Sequence, residues 1–244
     1  MGTFREAIDA KDMDAVESML ADDVASQVVH AAPDGLFAGR GARWFVEMGT
    51  MRPTHIEALG ATAPEGTRVI DAPVSGATQA AADATLMIMA GCREAEAGDL
   101  QPLFDVLGRK TVYLGRPGAG AVMKLAVNSL IHGLNQTLAE ALSLAEASGI
   151  APELAFDAIE ASAACAPMLT YRRPLYLDEA AHAVTFTVAL ARKDMEVTAT
   201  LAETLGVSMP QGRVTLEKLR AAETQGYAGR DMAAMVSFMR GEKS

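Results

Sequence analysis

Gly118-Ala119-Gly120-Ala121-Val122-Met123-Lys124-Leu125-Ala126-Val127-Asn128 opens the stretch on which the reading of this chain turns. From Gly120 to Ser148 there is no proline and only one internal glycine, Gly133. Apolar residues recur there at helical spacing: Met123, Val127, Leu130, Ile131, Leu134, Leu138, Leu142 and Ala145. At a rise of about 1.5 Å per residue the helix would be about 40 Å long, far more than a crossover between neighbouring strands needs. Ser148-Gly149 supplies its stop. A helix of this length marks a change of architecture, and a boundary is placed at Pro117-Gly118, giving domains 1–117 and 118–244.

Toward the N-terminus, short apolar runs alternate with helix-like segments. Ala15–Leu20, Trp44–Met48, Arg68–Ala72, Leu86–Ala90 and Lys110–Leu114 read as strands. Asp23–His30, Pro53–Ala61, Ala77–Ala84 and Arg93–Leu107 read as the helices between them. Such alternation predicts a sheet that is at least partly parallel, with crossover helices. Toward the C-terminus, further helices are predicted at 152–162, 186–206 and 210–225, with no further strand. The expected fold is an α/β domain followed by an all-α domain built on the long helix.

Charge and composition narrow the function. Lys and Arg total 21 against 31 Asp and Glu, a formal net charge of −10, which disfavours nucleic acid and anionic membrane surfaces as partners. The expected ligand is a small molecule, since a few local cations can reverse the potential inside one pocket. Cys92 and Cys165 show neither metal nor disulfide-scaffold spacing, and His30, His55, His132 and His182 show no metal spacing either. The opening MGTFREAIDAKDMD has no apolar core, and no uncharged apolar run approaches the roughly 20 residues of a membrane span. The expectation is a soluble, cytoplasmic chain without a metal.

Two constellations can carry chemistry. Asp71-Ala72-Pro73-Val74-Ser75-Gly76 lies at the end of a predicted strand, where ligands of open α/β sheets sit. Ser75 and Gly76 could offer a hydroxyl and closely approachable backbone N–H groups to a carboxylate; equally, Ser75 could simply cap the next helix. Lys124 and Asn128, four residues apart, share a helix face near the helix start. An amine can take or return a hydroxyl proton, and an amide can hold the oxygen, while hydride moves to a nicotinamide; a solvated surface pair is the alternative. Arg192-Lys193-Asp194 could reach a cofactor or a carboxylate, or be surface charge, and His132 reads as a partly buried structural histidine.

Taken together these segments resemble the β-hydroxyacid dehydrogenase family. The resemblance rests on DAPVSG at 71–76 followed by ATLMIMAG at 84–91, on GAGAVMKLAVN at 118–128 running on to EALSLAEASGI at 140–150, and on LARKDMEVTATLAETLGVSMP at 190–210. It implies a Rossmann-type domain joined by the long helix to an all-α domain, NAD or NADP as cofactor, and homodimers or homotetramers. It also implies hydride transfer to or from a small hydroxy acid or aldehyde acid of 3-hydroxyisobutyrate type. By the same resemblance Lys124 is the general acid/base and Asn128 orients the substrate. Ser75 and Gly76 bind its carboxylate, and Lys193 lies near nicotinamide and substrate. Leu20 and Ala21, in SMLADD at 18–23, contact the cofactor, and Thr50, in MGT at 48–50, sits by the nicotinamide ribose.

The chain departs from the family pattern at several points. Ala21 replaces a proline, Ala77, Ala84 and Cys92 each replace a glycine, and Val127 replaces the first residue of a common Asn-Asn pair. No G-x-G-x-x-G occurs, and residues 1–14 resemble the segment just before the family's fourth strand, so a partial Rossmann domain lacking its first βαβ portion is expected. Loss of that loop predicts weak cofactor binding. It keeps open a second possibility, a cofactor-poor, non-catalytic paralogue acting as a binding or oligomerisation module.

Overall fold

In a computed structural model of the chain, residues 23–39 and 44–242 are described. The predicted strand at Ala15–Leu20, and with it Leu20 and Ala21, lies outside them. The chain divides into two units, Met1–Leu125 and Ala126–Ser244.

In the first unit, helix α1 (Asp23–Ala31) precedes strand β1 (Trp44–Glu47), which pairs in parallel with β2 (Arg68–Asp71) in the register Trp44↔Arg68 to Glu47↔Asp71. The crossover between them is α2 (Pro53–Thr62), started by a proline at its first position, where the missing N–H is no loss. A second sheet holds β3 (Val74–Ser75) antiparallel to β4 (Leu86–Ala90), and β4 parallel to β5 (Gly108–Tyr113). Short α3 (Ala77–Ala82) joins β3 to β4. The β2 and β4 runs are almost wholly buried, as expected of strands covered on both faces. Ile70, Ile88 and Phe104 are central to the core they build.

One predicted helix is corrected. Residues 93–107 do not form a single helix: a 3-10 turn at Glu94–Glu96 is followed by α4 (Gln101–Leu107). Gly98 and Asp99 are poor helix formers, and Pro102 suits only the first turn of a helix.

Helix α5 (Ala119–Ala147) is the long helix of the sequence. Its buried stripe differs from the apolar one that periodicity predicts, because Leu130 is 72% exposed and Met123 is 37% exposed. Among the residues that go under are Leu125, Asn128, His132, Asn135, Ala139 and Leu142, spaced by three and four, so polar side chains hold several inward positions.

In the second unit α5 is followed by α6 (Pro152–Ala161), α7 (Pro167–Leu177), α8 (Val188–Thr204), α9 (Pro210–Ala222) and α10 (Met235–Met239). Leu142, Phe156, Leu169, Met195 and Tyr227 anchor its core, each such side chain contributing about 1.5–3 kcal/mol on burial. A buried carboxylate, Asp231, accepts from Arg172 and from the backbone N–H groups of Thr185 (2.9 Å) and Ala233 (2.9 Å). That network ties the segment before α8 to the C-terminal turns. Among the described residues no helix is long and apolar enough to cross a membrane.

Candidate functional site

In the first unit the candidate residues are organised by Asp71. This residue ends β2, is 1% exposed, and its carboxylate accepts the Gly118 N–H at 2.7 Å and the Ala121 N–H at 2.6 Å. A helix start leaves N–H groups unpaired and carries a partial positive charge, so a buried carboxylate there is both a hydrogen-bond and an electrostatic anchor. The fit is close enough to require glycine: a Cβ on Gly120 would lie 2.3 Å from the Met89 carbonyl oxygen and 2.9 Å from Asp71 Oδ2. The same Cβ would lie 3.1 Å from Pro73 Cδ, so the first turn of α5 rests on the Asp71–Pro73 strand end.

Three candidate residues hang from this anchor. Ser75 and Gly76 follow Pro73 after Val74, and Lys124, half-buried, follows Gly120 by one helical turn. Thr50, also half-buried, precedes Met51, which packs in one small cluster with Ile56 and Ala121. At the end of β1 the Glu47 carboxylate accepts the Ser26 hydroxyl at 2.6 Å and the Gly49 N–H at 2.8 Å, fixing the bend that carries Thr50. Thus the carboxyl ends of β1 and β2 and the start of α5 are brought together, the place where open α/β sheets bind ligands.

Ser75 is not the cap of α3. It pairs with Met87 in β3, and the cap position is Gly76, at φ 138° with no side-chain cap bond. The next residue, Ala77, has φ 58°, and Ala84 has φ 53°; among the described residues they are the only non-glycines with positive φ. Both stand where the family pattern has glycine, so the backbone keeps a glycine conformation that an alanine has to occupy. Cys92, the third glycine replacement, is buried; burial, and after it Glu96 and Asp71, push its thiol up, which keeps it protonated and unreactive.

In the second unit the organiser is Asp194 on α8, 1% exposed. Asn128, 4% exposed, donates through Nδ2 to Asp194 Oδ2 at 2.6 Å. Because an ionised carboxylate only accepts, this bond fixes which end of the amide faces it. Lys193 Nζ lies 2.8 Å from Asp194 Oδ1, and His132 Nε2 lies 3.9 Å from Oδ2. Burial alone would push the Asp194 carboxyl up, but His132 and the Lys193 ammonium outweigh it and hold the group below the ordinary aspartate range.

Sequence reasoning assigned no part to Asp71 or Asp194. Asp194 had a signal: with Ala191, Met195, Thr198 and Ala202 it falls on the buried stripe of α8, an acidic residue at an inward position. The two readings of Arg192-Lys193-Asp194, a cofactor or carboxylate contact or surface charge, gave no part to that register. Leu20 and Ala21 lie outside the described residues. Among the described residues, no group of three or more His, Cys, Asp or Glu could hold a metal ion.

Comparison with known proteins fits this arrangement. Residues 2–115 match the family model described as the NAD binding domain of 6-phosphogluconate dehydrogenase. Residues 118–239 match the one described as NAD-binding of NADP-dependent 3-hydroxyisobutyrate dehydrogenase. The chain is 31% identical over 240 residues to NAD-dependent L-serine dehydrogenase of Pseudomonas aeruginosa, covering 95% of this chain and 80% of that one. It is 29% identical to glyoxylate/succinic semialdehyde reductase 1 of Arabidopsis thaliana, covering 80% of this chain and 68% of the relative. The structure of 3-hydroxyisobutyrate dehydrogenase of Mycobacterium tuberculosis with L-serine superposes with a TM-score of 0.74 at 26% identity, covering 85% of this chain and 73% of that one. Across the relatives it matches, the chain spans from half to four fifths of their length. With a Rossmann-like NAD(P)-binding domain followed by a helical domain, the chain belongs to the β-hydroxyacid dehydrogenase family of NAD(P)-dependent oxidoreductases.

Proposed function

We propose that this chain moves a hydride between NAD or NADP and a small hydroxy acid of 3-hydroxyisobutyrate type, interconverting it with its aldehyde acid by lysine acid/base catalysis. The observation that carries the proposal is the pairing on α5: Lys124 and, one turn later, Asn128 held by the buried Asp194, on a helix whose start is anchored by Asp71. Relatives named for L-serine, glyoxylate and succinic semialdehyde all take small acids bearing a hydroxyl or aldehyde.

When bound, a nicotinamide would supply or accept the hydride at the substrate carbon. The remaining tasks belong to the chain. Lys124 Nζ gives a proton to the carbonyl oxygen as it becomes a hydroxyl, and takes it back in the oxidising direction. Asn128 has one N–H committed to Asp194 and orients the reacting oxygen with the other. The Ser75 hydroxyl and the backbone at Gly76 receive the substrate carboxylate, and Lys193 adds positive charge near nicotinamide and substrate. Thr50, on the bend fixed by Glu47, offers a hydroxyl suited to the nicotinamide ribose; Leu20 and Ala21 remain the proposed further cofactor contacts.

Thr50, on the bend fixed by Glu47, and the anchored start of α5 are the residues that would hold the nicotinamide end of the cofactor. The test is a titration with NADH and NADPH, followed by turnover assays with succinic semialdehyde, glyoxylate, 3-hydroxyisobutyrate and L-serine. Cofactor binding and turnover of at least one acid are expected. Turnover of none of them, with little or no cofactor binding, would favour the cofactor-poor, non-catalytic module.

A further inference from the structure

His132 lies one turn beyond Asn128 on the inward face of α5 and is 3% exposed. Neither ring nitrogen has a hydrogen-bond partner among the described residues. Buried polar groups are nearly always partnered, so an imidazole left open beside a buried carboxylate calls for an explanation. Its surroundings are few. From the segment before α8, Phe186 stacks on the ring with centroids 5.7 Å apart. From α8, the Asp194 carboxylate faces it, with Oδ2 at 3.9 Å, and Lys193 Nζ sits against the other oxygen, Oδ1. The Arg172–Asp231 pair stands behind Phe186, whose N–H donates to Asp231 Oδ2 at 3.3 Å.

We propose that His132 is a positioning residue for Asn128, acting through Asp194. This rests on the proposed function, in which Asn128 orients the reacting oxygen. The oxygen His132 approaches, Asp194 Oδ2, is the one that accepts from Asn128. At 3.9 Å the contact is an ion-pair distance and not a hydrogen bond, so the ring has a bond still to make. Catalytic hydrogen bonds commonly tighten once substrate binds. Once the contact tightens, the Nε2–H of the ring donates to Oδ2, while Lys193 holds Oδ1. The carboxylate is then gripped at both oxygens and cannot swing, and the Asn128 amide is fixed with it. Because Asn128 and His132 are four residues apart on one helix, the backbone of α5 sets the spacing of the two donors.

The test compares His132→Gln, His132→Leu and His132→Asn. Glutamine can place its amide nitrogen where imidazole Nε2 lies, leucine fills the space with no donor, and asparagine reaches only toward Nδ1. In His132→Leu and His132→Asn, kcat is expected to fall about ten- to a hundredfold, as for other residues that orient a site residue from behind. KM should move by less than about threefold, since substrate contacts are untouched, and kcat should recover in His132→Gln. A second readout needs no turnover: the side-chain amide resonance of Asn128, assigned by its loss in Asn128→Ala. It should keep its wild-type position in His132→Gln and move toward a free amide in the other two. Unchanged kcat and resonance in His132→Leu overturn the proposal, and so does an equal loss in all three variants, which marks a packing role. If the wild-type protein turns over no substrate, the proposed function fails while the resonance still decides the part played by His132. Should the leucine variant not fold, the asparagine and glutamine pair decides the same question.

Discussion

Replacing Asp71 by asparagine should loosen the start of α5 without changing the shape of the residue that holds it. The carboxylate accepts two backbone N–H groups, from Gly118 and Ala121, at 2.7 and 2.6 Å in a buried site. Hydrogen bonds to a charged acceptor are each worth about 1.5–3 kcal/mol, and a neutral one about 1 kcal/mol. The favourable charge at the helix start adds about 0.3–1 kcal/mol. Asparagine keeps one neutral acceptor and turns an NH2 toward the other N–H, so the expected loss is about 3 kcal/mol. The chain's single tryptophan, Trp44, opens β1 with the Arg68 guanidinium 5.3 Å from its ring centroid, and its fluorescence reports the first unit. With urea slopes of about 1–3 kcal/mol per molar, the fluorescence midpoint should fall by about 1–3 M. A fall of less than about 0.3 M would refute the idea that this carboxylate anchors the helix carrying Lys124.

Ala77→Gly and Ala84→Gly should each stabilise the protein, because φ values of 58° and 53° strain an alanine. The relief of about 1–2 kcal/mol, less about 0.4–1 kcal/mol for the freer unfolded glycine, leaves roughly 0.5–1 kcal/mol, a rise of about 2–4 °C per kcal/mol in thermal melts; a lowered melting temperature in either variant contradicts this. Acid should weaken the second unit through Asp194. Its folded pKa lies below the unfolded one, so its contribution is full above the unfolded aspartate value near about 3.9 and is lost as pH falls through the folded value. Urea melts followed by circular dichroism should show a smaller drop in stability on acidification for Asp194→Asn than for the wild type. Equal drops would remove Asp194 from the acid response.

The architecture was largely legible because β2 and β4 are apolar runs and α5 is a long unbroken periodic segment. Helix α7 was missed: Pro174 lies within it, and Arg172-Arg173 break the apolar period, yet Arg172 is buried against Asp231 and the helix holds. Polar burial also misdrew the inward face of α5. Periodicity favoured Leu130 over Asn128 and His132, but the polar residues have a buried carboxylate to face and Leu130 does not follow them inward. Of the proposed site residues, Lys124, Asn128 and the Ser75–Gly76 bend stand out in the sequence as motifs. Asp71 and Asp194, which position them, do not, since their partners lie dozens of residues away: Asp71 bonds residues 47 and 50 positions on, and Asn128 reaches Asp194 across 66. Such contacts leave no local pattern.

Lys124→Ala tests the assignment of the proton most directly. With circular dichroism and cofactor binding unchanged, the rate of single-turnover reduction of an aldehyde acid by bound reduced nicotinamide should fall by about 10²–10⁴, the usual contribution of a positioned general acid. A rate within about threefold of the wild-type value would show that the amine on α5 is not the proton donor.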